Sequence, residues 1–227
     1  MTEVLLETID LKKHFTAPSG ETLEIIKGIN FSVKKGDTVS IVGMSGAGKT
    51  TFLHLLGLLD TPTSGSIRYF DKDFSNFKEE ELAKFRNKNI GFVFQFHYLL
   101  PEFTAIENAV LPLVIRGISF KEAKDRGMEF FKKVNIQDRA NHKPGQLSGG
   151  EQQRVAVVRA FIGEPAIILA DEPTGNLDKK NARNITELFL KLNEEHNTSL
   201  VLVTHNDELA SMMQIKYKID DGMLIPL

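Results

Sequence analysis

The sequence predicts an α/β fold with a mostly parallel core sheet, an antiparallel β flank near its start and a helical stretch in its middle. Three observations carry that expectation. Four short apolar runs end on polar or glycine-rich residues, one of them feeds directly into a glycine-rich loop, and such runs alternate with segments of helical periodicity.

Taken in chain order, residues 4–9 and 25–33 read as two strands separated by the turn signal Pro18-Ser19-Gly20, and they form the antiparallel flank. Residues 38–42 (Thr-Val-Ser-Ile-Val) form a buried strand candidate that runs into Gly43. Residues 90–94 make another, ending on Gln95. Helices dominate between Phe96 and Leu147, where Thr104…Glu107 and Ser119…Glu122 both fit the capping box. Ala123, Phe130, Phe131 and Val134 fall on one helical face, as do Ile185, Leu188, Phe189 and Leu192 further on. Residues 166–170 and 199–203 complete the parallel strands, ending on Asp171-Glu172 and Thr204-His205, and Asp221-Gly222 signals a terminal hairpin. No repeat or low-complexity linker divides the 227 residues. A single domain is expected, with a core from 1–95 and 148–227 and a helical subdomain over about 96–147.

Composition narrows the function. A net charge of -2 gives no reason to expect nucleic acid or anionic lipid as the main ligand. The absence of cysteine removes disulfides, thiolate metal sites and a cysteine nucleophile. The first residues, Met1-Thr2-Glu3-Val4, lack the basic and apolar regions of a signal peptide, and uncharged stretches such as residues 89–101 are too short to span a bilayer. Something else must hold the protein at any membrane it serves.

Three motifs carry chemistry. Gly43-Met44-Ser45-Gly46-Ala47-Gly48-Lys49-Thr50 fits the phosphate-binding loop G-x-x-x-x-G-K-[ST]. Its glycines let several N–H groups turn inward, Lys49 neutralises the β- and γ-phosphates, and Thr50 places a hydroxyl on Mg²⁺. A chance glycine turn is the bland alternative, disfavoured because the motif follows a buried strand and opens an apolar helix. At the second strand end, Asp171 can hold Mg²⁺ through water, and Glu172 can act as general base on the attacking water; alone, the pair could equally be solvent-facing acids. Ser148-Gly149-Gly150 opens a helix after Leu147, which makes either an ordinary N-cap or a second anion site.

Leu147-Ser148-Gly149-Gly150-Glu151-Gln152 resembles the signature sequence of ABC transporter ATPases. Gln95 resembles their Q-loop, Gly175-Asn176-Leu177-Asp178 their D-loop and His205 their switch histidine, and the likeness runs along essentially the whole chain. It implies a phosphate-loop NTPase fold and ATP hydrolysis with Glu172, His205, Gln95 and Lys49 as catalytic residues. It implies Thr50, Gln95 and Asp171 around Mg²⁺. It implies ATP bound by Phe15 under the adenine, by Gly43, Met44, Ser45, Gly46, Ala47, Gly48, Lys49, Thr50 and Thr51, by Gln95, by Ser148, Gly149 and Gly150 of a second copy, and by Asp178. Phenylalanine stands at the adenine position where tyrosine is commoner, and Asn206 follows the switch histidine where aspartate is common.

The resemblance also implies assembly. Two copies pack head to tail around ATP, and a groove near Gln95 passes closure to integral membrane permease subunits. Residues 95–108, 58–65 and 139–144 are most similar to ATPases of the lipoprotein-releasing system, whose permeases are of LolC/LolE type. That likeness implies a peripheral protein at the cytoplasmic face of a bacterial inner membrane, powering lipoprotein release toward the outer membrane. A MacB-type exporter or an FtsE-like cell-division role are alternatives within the same subgroup. A non-transport ABC ATPase acting on nucleic acid is a remote one, disfavoured by the near-neutral charge and the lack of a second fused domain.

Overall fold

The computed structural model describes residues 3–18 and 20–227; Met1 and Thr2 of the N-terminal reading and Ser19 of the turn signal lie outside the described residues. The chain separates into two compact units.

The first unit comprises Met1–Arg86, Leu169–Asp171 and Ser199–Leu227. β1 (Val4–Thr16) and β2 (Thr22–Lys34) pair antiparallel, and β4 (Ser64–Tyr69) and β5 (Lys72–Asp73) extend the sheet in the order β2-β1-β4-β5. Both long strands outrun the expected spans. Asp10 sits in the left-handed region at φ 45°, and the pairing register shifts between Thr8 and Leu11. This bulge hides the continuation of β1 from a period-two reading. In the second sheet β3 (Thr38–Val42) runs parallel to both β8 (Ser199–Thr204) and β9 (Ile215–Asp220), and β10 (Met223–Pro226) pairs antiparallel to β9. Asp221 and Gly222 both take positive φ at that hairpin, as a type I′ turn requires.

Aromatic rings fill this unit's core. Phe31 meets Phe52 of α1 (Lys49–Leu56) and Tyr217 of β9 edge-on, each with centroids 5.5 Å apart. Tyr69 is fully buried and donates its hydroxyl proton to Leu56 O at 2.8 Å, and burial pushes its phenol well above the ordinary tyrosine range. The pairing satisfies the one polar atom that burial would otherwise strand.

The second unit comprises Asn87–Ile168 and Glu172–Thr198. Its elements are β6 (Ile90–Phe94), α3 (Ala105–Ile115), α4 (Phe120–Lys133), α5 (Gly149–Phe161) and α6 (Lys179–His196). α5 packs on α3, α4, α6 and β6, and nearly every residue from Val155 to Phe161 is buried. The capping box at Thr104 and Glu107 is complete. At Ser119 only half of it forms: the hydroxyl accepts from Glu122 N at 3.3 Å, and Glu122 pairs with Arg126 at 2.6 Å instead of reaching back. On α4 the expected face is buried at Ala123, Phe130, Phe131 and Val134. On α6 Ile185, Phe189 and Leu192 are buried and Leu188 is half-buried.

Two elements cross from one unit to the other. α2 (Glu79–Asn89) leaves the first unit at Arg86, and β7 (Ile167–Asp171) is divided after Ile168. Among the described residues no helix is long and apolar enough to cross a membrane.

Candidate functional site

In the first unit β3 delivers the chain into the loop between Gly43 and Thr50. Gly46 and Gly48 lie at φ 81° and 98°, conformations that side-chain-bearing residues disfavour, and they curl the backbone back on itself. A Cβ on Gly43 would stand 2.5 Å from Ile219 O, so only glycine lets the loop leave the sheet against β9. Gly43→Ala is expected to lower stability by about 1–3 kcal/mol as an overpacking change. An unchanged melting temperature would remove the close approach from the account.

Gly48 is the N-cap of α1 and supplies no side-chain cap. By contrast Thr104, Ser119, Ser148, Asp178 and Asn206 each cap their own helices with an oxygen. The first turn of α1 therefore presents backbone N–H groups and the positive end of the helix dipole to any anion in the loop. Lys49 donates to Gly43 O and Met44 O, each at 2.9 Å. These bonds engage two of the three ammonium donors and hold the charge over the loop. The cradle fits a polyphosphate.

The neighbouring strand ends bring two more of the expected residues to this unit. Val42 pairs with Thr204 in the parallel ladder, so His205 begins where the phosphate loop begins. Thr204 Oγ1 accepts from Asn206 N at 3.0 Å, and Asn206 Oδ1 accepts from Glu208 N and Leu209 N, capping α7 (Asp207–Ser211). Asparagine thus performs the cap that aspartate would. Asp171 ends β7 within the same unit. Among the described residues there is no cluster of three or more metal-ligating side chains. A hydroxyl at Thr50 and one carboxylate at Asp171 suit Mg²⁺, which keeps waters and takes phosphate oxygens rather than an all-protein cage.

Phe15, on β1, is 47% exposed, and Lys13 Nζ lies 4.9 Å from its ring centroid. Lys13 is itself held by Asp60 at 2.7 Å and Thr61 O at 2.8 Å. One ring face is thus backed by a fixed cation, a partner that sequence reading missed because it lies two residues away on the same strand.

In the second unit Gln95 and Asn176 bond reciprocally: Gln95 Nε2 donates to Asn176 Oδ1 at 3.3 Å, and Asn176 Nδ2 donates to Gln95 O at 3.0 Å. Glu172, one residue past the divide in the chain, has φ 45°, a left-handed backbone unusual for glutamate. Ser148 caps α5, its hydroxyl accepting from Glu151 N at 3.3 Å and donating to Glu151 Oε2 at 2.9 Å. Asp178 caps α6, accepting from Asn181 N at 3.0 Å and Asn181 Nδ2 at 2.6 Å, and these bonds hold its carboxyl below the usual range. Ser148–Glu151 and Asn176–Asp178 line one open cleft of about 400 Å³, together with Arg154 and Asn181. Asn176 both lines that cleft and holds Gln95.

Arg139 Nε donates to Glu151 Oε1 at 2.7 Å, and Ser148 N donates to Glu151 Oε2 at 2.8 Å. The Arg139 bond, followed by the Ser148 amide, lowers the Glu151 carboxyl to about 2. The folded value lies below the ordinary 4.5, so this stabilisation is complete above 4.5 and is lost as pH falls toward about 2. In Arg139→Ala the Glu151 carboxyl is expected to titrate closer to 4.5 by NMR. A titration unmoved by the substitution would assign the depression to the cap alone.

The fold and the loop define a nucleotide-binding α/β protein. A family model described as ABC transporter matches residues 26–175. The lipoprotein-releasing system ATP-binding protein LolD of Geobacter metallireducens is 48% identical over 222 residues, covering 97% of this chain and 98% of that protein. Its namesake in Bacteroides thetaiotaomicron is 51% identical over 203 residues, covering 89% and 93%. A solved dimeric structure of a post-hydrolysis state of the ATP-binding cassette MJ0796 bound to ADP and Pi superposes with a TM-score of 0.90 at 39% identity, covering 97% of this chain and 96% of that one. The chain belongs to the ABC transporter family, as one of its ATPases.

Proposed function

We propose that this chain is the ATP-hydrolysing subunit of a lipoprotein-releasing ABC transporter, acting at the cytoplasmic face of a bacterial inner membrane. One observation carries the choice of cargo: a protein bearing that name matches this chain along 97% of its length at 48% identity. Function follows as one ABC ATPase domain, with a core from 1–95 and 148–227 and a helical subdomain over about 96–147.

In this reading the loop from Gly43 to Thr51 binds the phosphates and Phe15 stacks on adenine. Lys49 offsets charge on the β- and γ-phosphates, and Thr50, Asp171 and Gln95 are assigned to Mg²⁺, which when bound neutralises phosphate charge. Glu172 takes the proton of the attacking water, and His205 is assigned to the γ-phosphate. Ser148, Gly149 and Gly150, with Asp178 in the same cleft, serve the nucleotide of a second copy. The chain carries one set of motifs, so two complete sites need two chains. The dimeric MJ0796 cassette supports that arrangement.

The partner-facing surface is proposed to be the segment after Gln95, which docks a short helix of a LolC/LolE-type permease. Phe96 and Tyr98 are 62% and 65% exposed, Leu100 and Phe103 are also exposed, and Leu99 is half-buried. An apolar patch of this kind marks an interaction site. Tyr98→Glu is expected to spare ATP hydrolysis by the isolated subunit. It should abolish co-purification with the permease and strand outer-membrane lipoproteins in the inner membrane, because a carboxylate would be desolvated in the contact. Normal assembly and normal sorting would refute the docking surface.

A further inference from the structure

We infer that Arg159 is the positioning residue through which the helix opened by Ser148 holds, and moves, the segment that docks the membrane partner. The inference rests on the docking reading above.

Arg159 lies near the end of α5 and reaches back across 61 and 62 residues of chain: Nη1 donates to Tyr98 O at 2.8 Å, and Nη2 donates to His97 O at 2.6 Å. A planar guanidinium matches two consecutive carbonyls in a way an ammonium does not. The gripped backbone is also a strained one. Tyr98 has φ 47°, in the left-handed region that an aromatic residue rarely enters. Held there, Tyr98 keeps an edge-on contact with Phe94 at 5.5 Å while most of its side chain faces solvent.

The other end of the segment is tied differently. Asn108 on α3 is buried; it accepts from Leu100 N at 2.7 Å and donates to Leu100 O, Phe103 O and Thr104 O at 3.0, 3.2 and 3.0 Å. That tie is local, within eight residues. The Arg159 tie is the long-range one, and it ends on the helix whose first turn lines the cleft with Ser148 and Gly149. From Gly149 to Arg159 the rise of an α-helix gives about 15 Å. α5 thus connects the surface assigned to a second copy's nucleotide with the surface assigned to the permease, by a route that does not pass through Gln95. A displacement of Ser148 on nucleotide closure is delivered to the His97 and Tyr98 backbone.

Hydrogen exchange of the amides in residues 97–103 tests this in the full-length chain carrying Glu172→Gln, with and without Mg·ATP. ATP is expected to change their exchange rates by about tenfold, within the usual range of coupling between sites. Adding Arg159→Met should erase that response while ATP still brings two copies together by light scattering. Arg159→Lys should retain part of it. In the chain with Glu172 intact, the permease-stimulated ATPase rate of the reconstituted complex should fall in the same order, with ATP affinity unchanged. A full exchange response in both variants overturns the inference. So does loss of ATP-driven dimerisation in step with the response, which would make Arg159 a general structural residue. If Arg159→Met does not fold, Arg159→Lys alone decides, because it keeps charge and loses the fork. Tyr98→Glu separates the two readings: intact permease assembly in that variant defeats the docking surface, while the exchange response still reports whether α5 moves the segment.

Discussion

Glu172→Gln is expected to slow ATP turnover by about 10²–10⁴-fold, the range of a positioned general base, with ATP affinity retained. The amide keeps the size and planar shape of the carboxylate but cannot accept the water's proton. Glu172 follows directly on Asp171, and its left-handed backbone sets it apart from an ordinary continuation of β7. With hydrolysis stalled, ATP should accumulate a two-copy species. Light scattering counts it, and a variant that stays monomeric at saturating Mg·ATP would count against the head-to-tail sandwich. Turnover equal to that of the unmodified chain would move the base to another residue.

Lys49→Ala should reduce nucleotide affinity and turnover together, by about 10²–10³-fold in kcat, the loss seen when one charge-stabilising donor is removed. Its ammonium is pre-placed by the carbonyls of Gly43 and Met44, so little ordering is needed when phosphate arrives. Titration with a fluorescent nucleotide separates the outcomes. Full affinity with lost turnover would confine Lys49 to the transition state, and no change in either would dismiss the loop as the phosphate site.

The loop was legible because its chemistry is local: glycines, a lysine and a threonine in fixed order between a buried strand and an apolar helix. β3 and β6 match the expected spans, and β7 and β8 fall within a residue of theirs, because buried strands read as short apolar runs. α2 was not legible. It opens on Glu79-Glu80-Glu81 and has no buried residue, so no apolar stripe marks it. β5 spans only two residues and left no pattern to read. Arg139, Asn108 and Arg159 were missed for another reason. Each acts through bonds to residues far along the chain or to backbone atoms, and neither leaves a spacing signature. Asn176 could have been found, since it lies inside the Gly175–Asp178 motif, but its bond to Gln95 spans 81 residues.

The apolar side chains left outward after Gln95 also govern how the protein behaves in a tube and in a cell. The chain carries a net charge of only -2 and a pI near 6.3, so electrostatic repulsion between molecules is weak just where a sticky face is available. Sulfate and other excluded salts strengthen apolar contact, so they should lower its solubility sharply, most of all near pH 6.3. On the docking surface proposed above, subunit made in excess over a membrane partner would accumulate with that face uncovered, and balanced synthesis of the two would serve colloidal stability as well as transport.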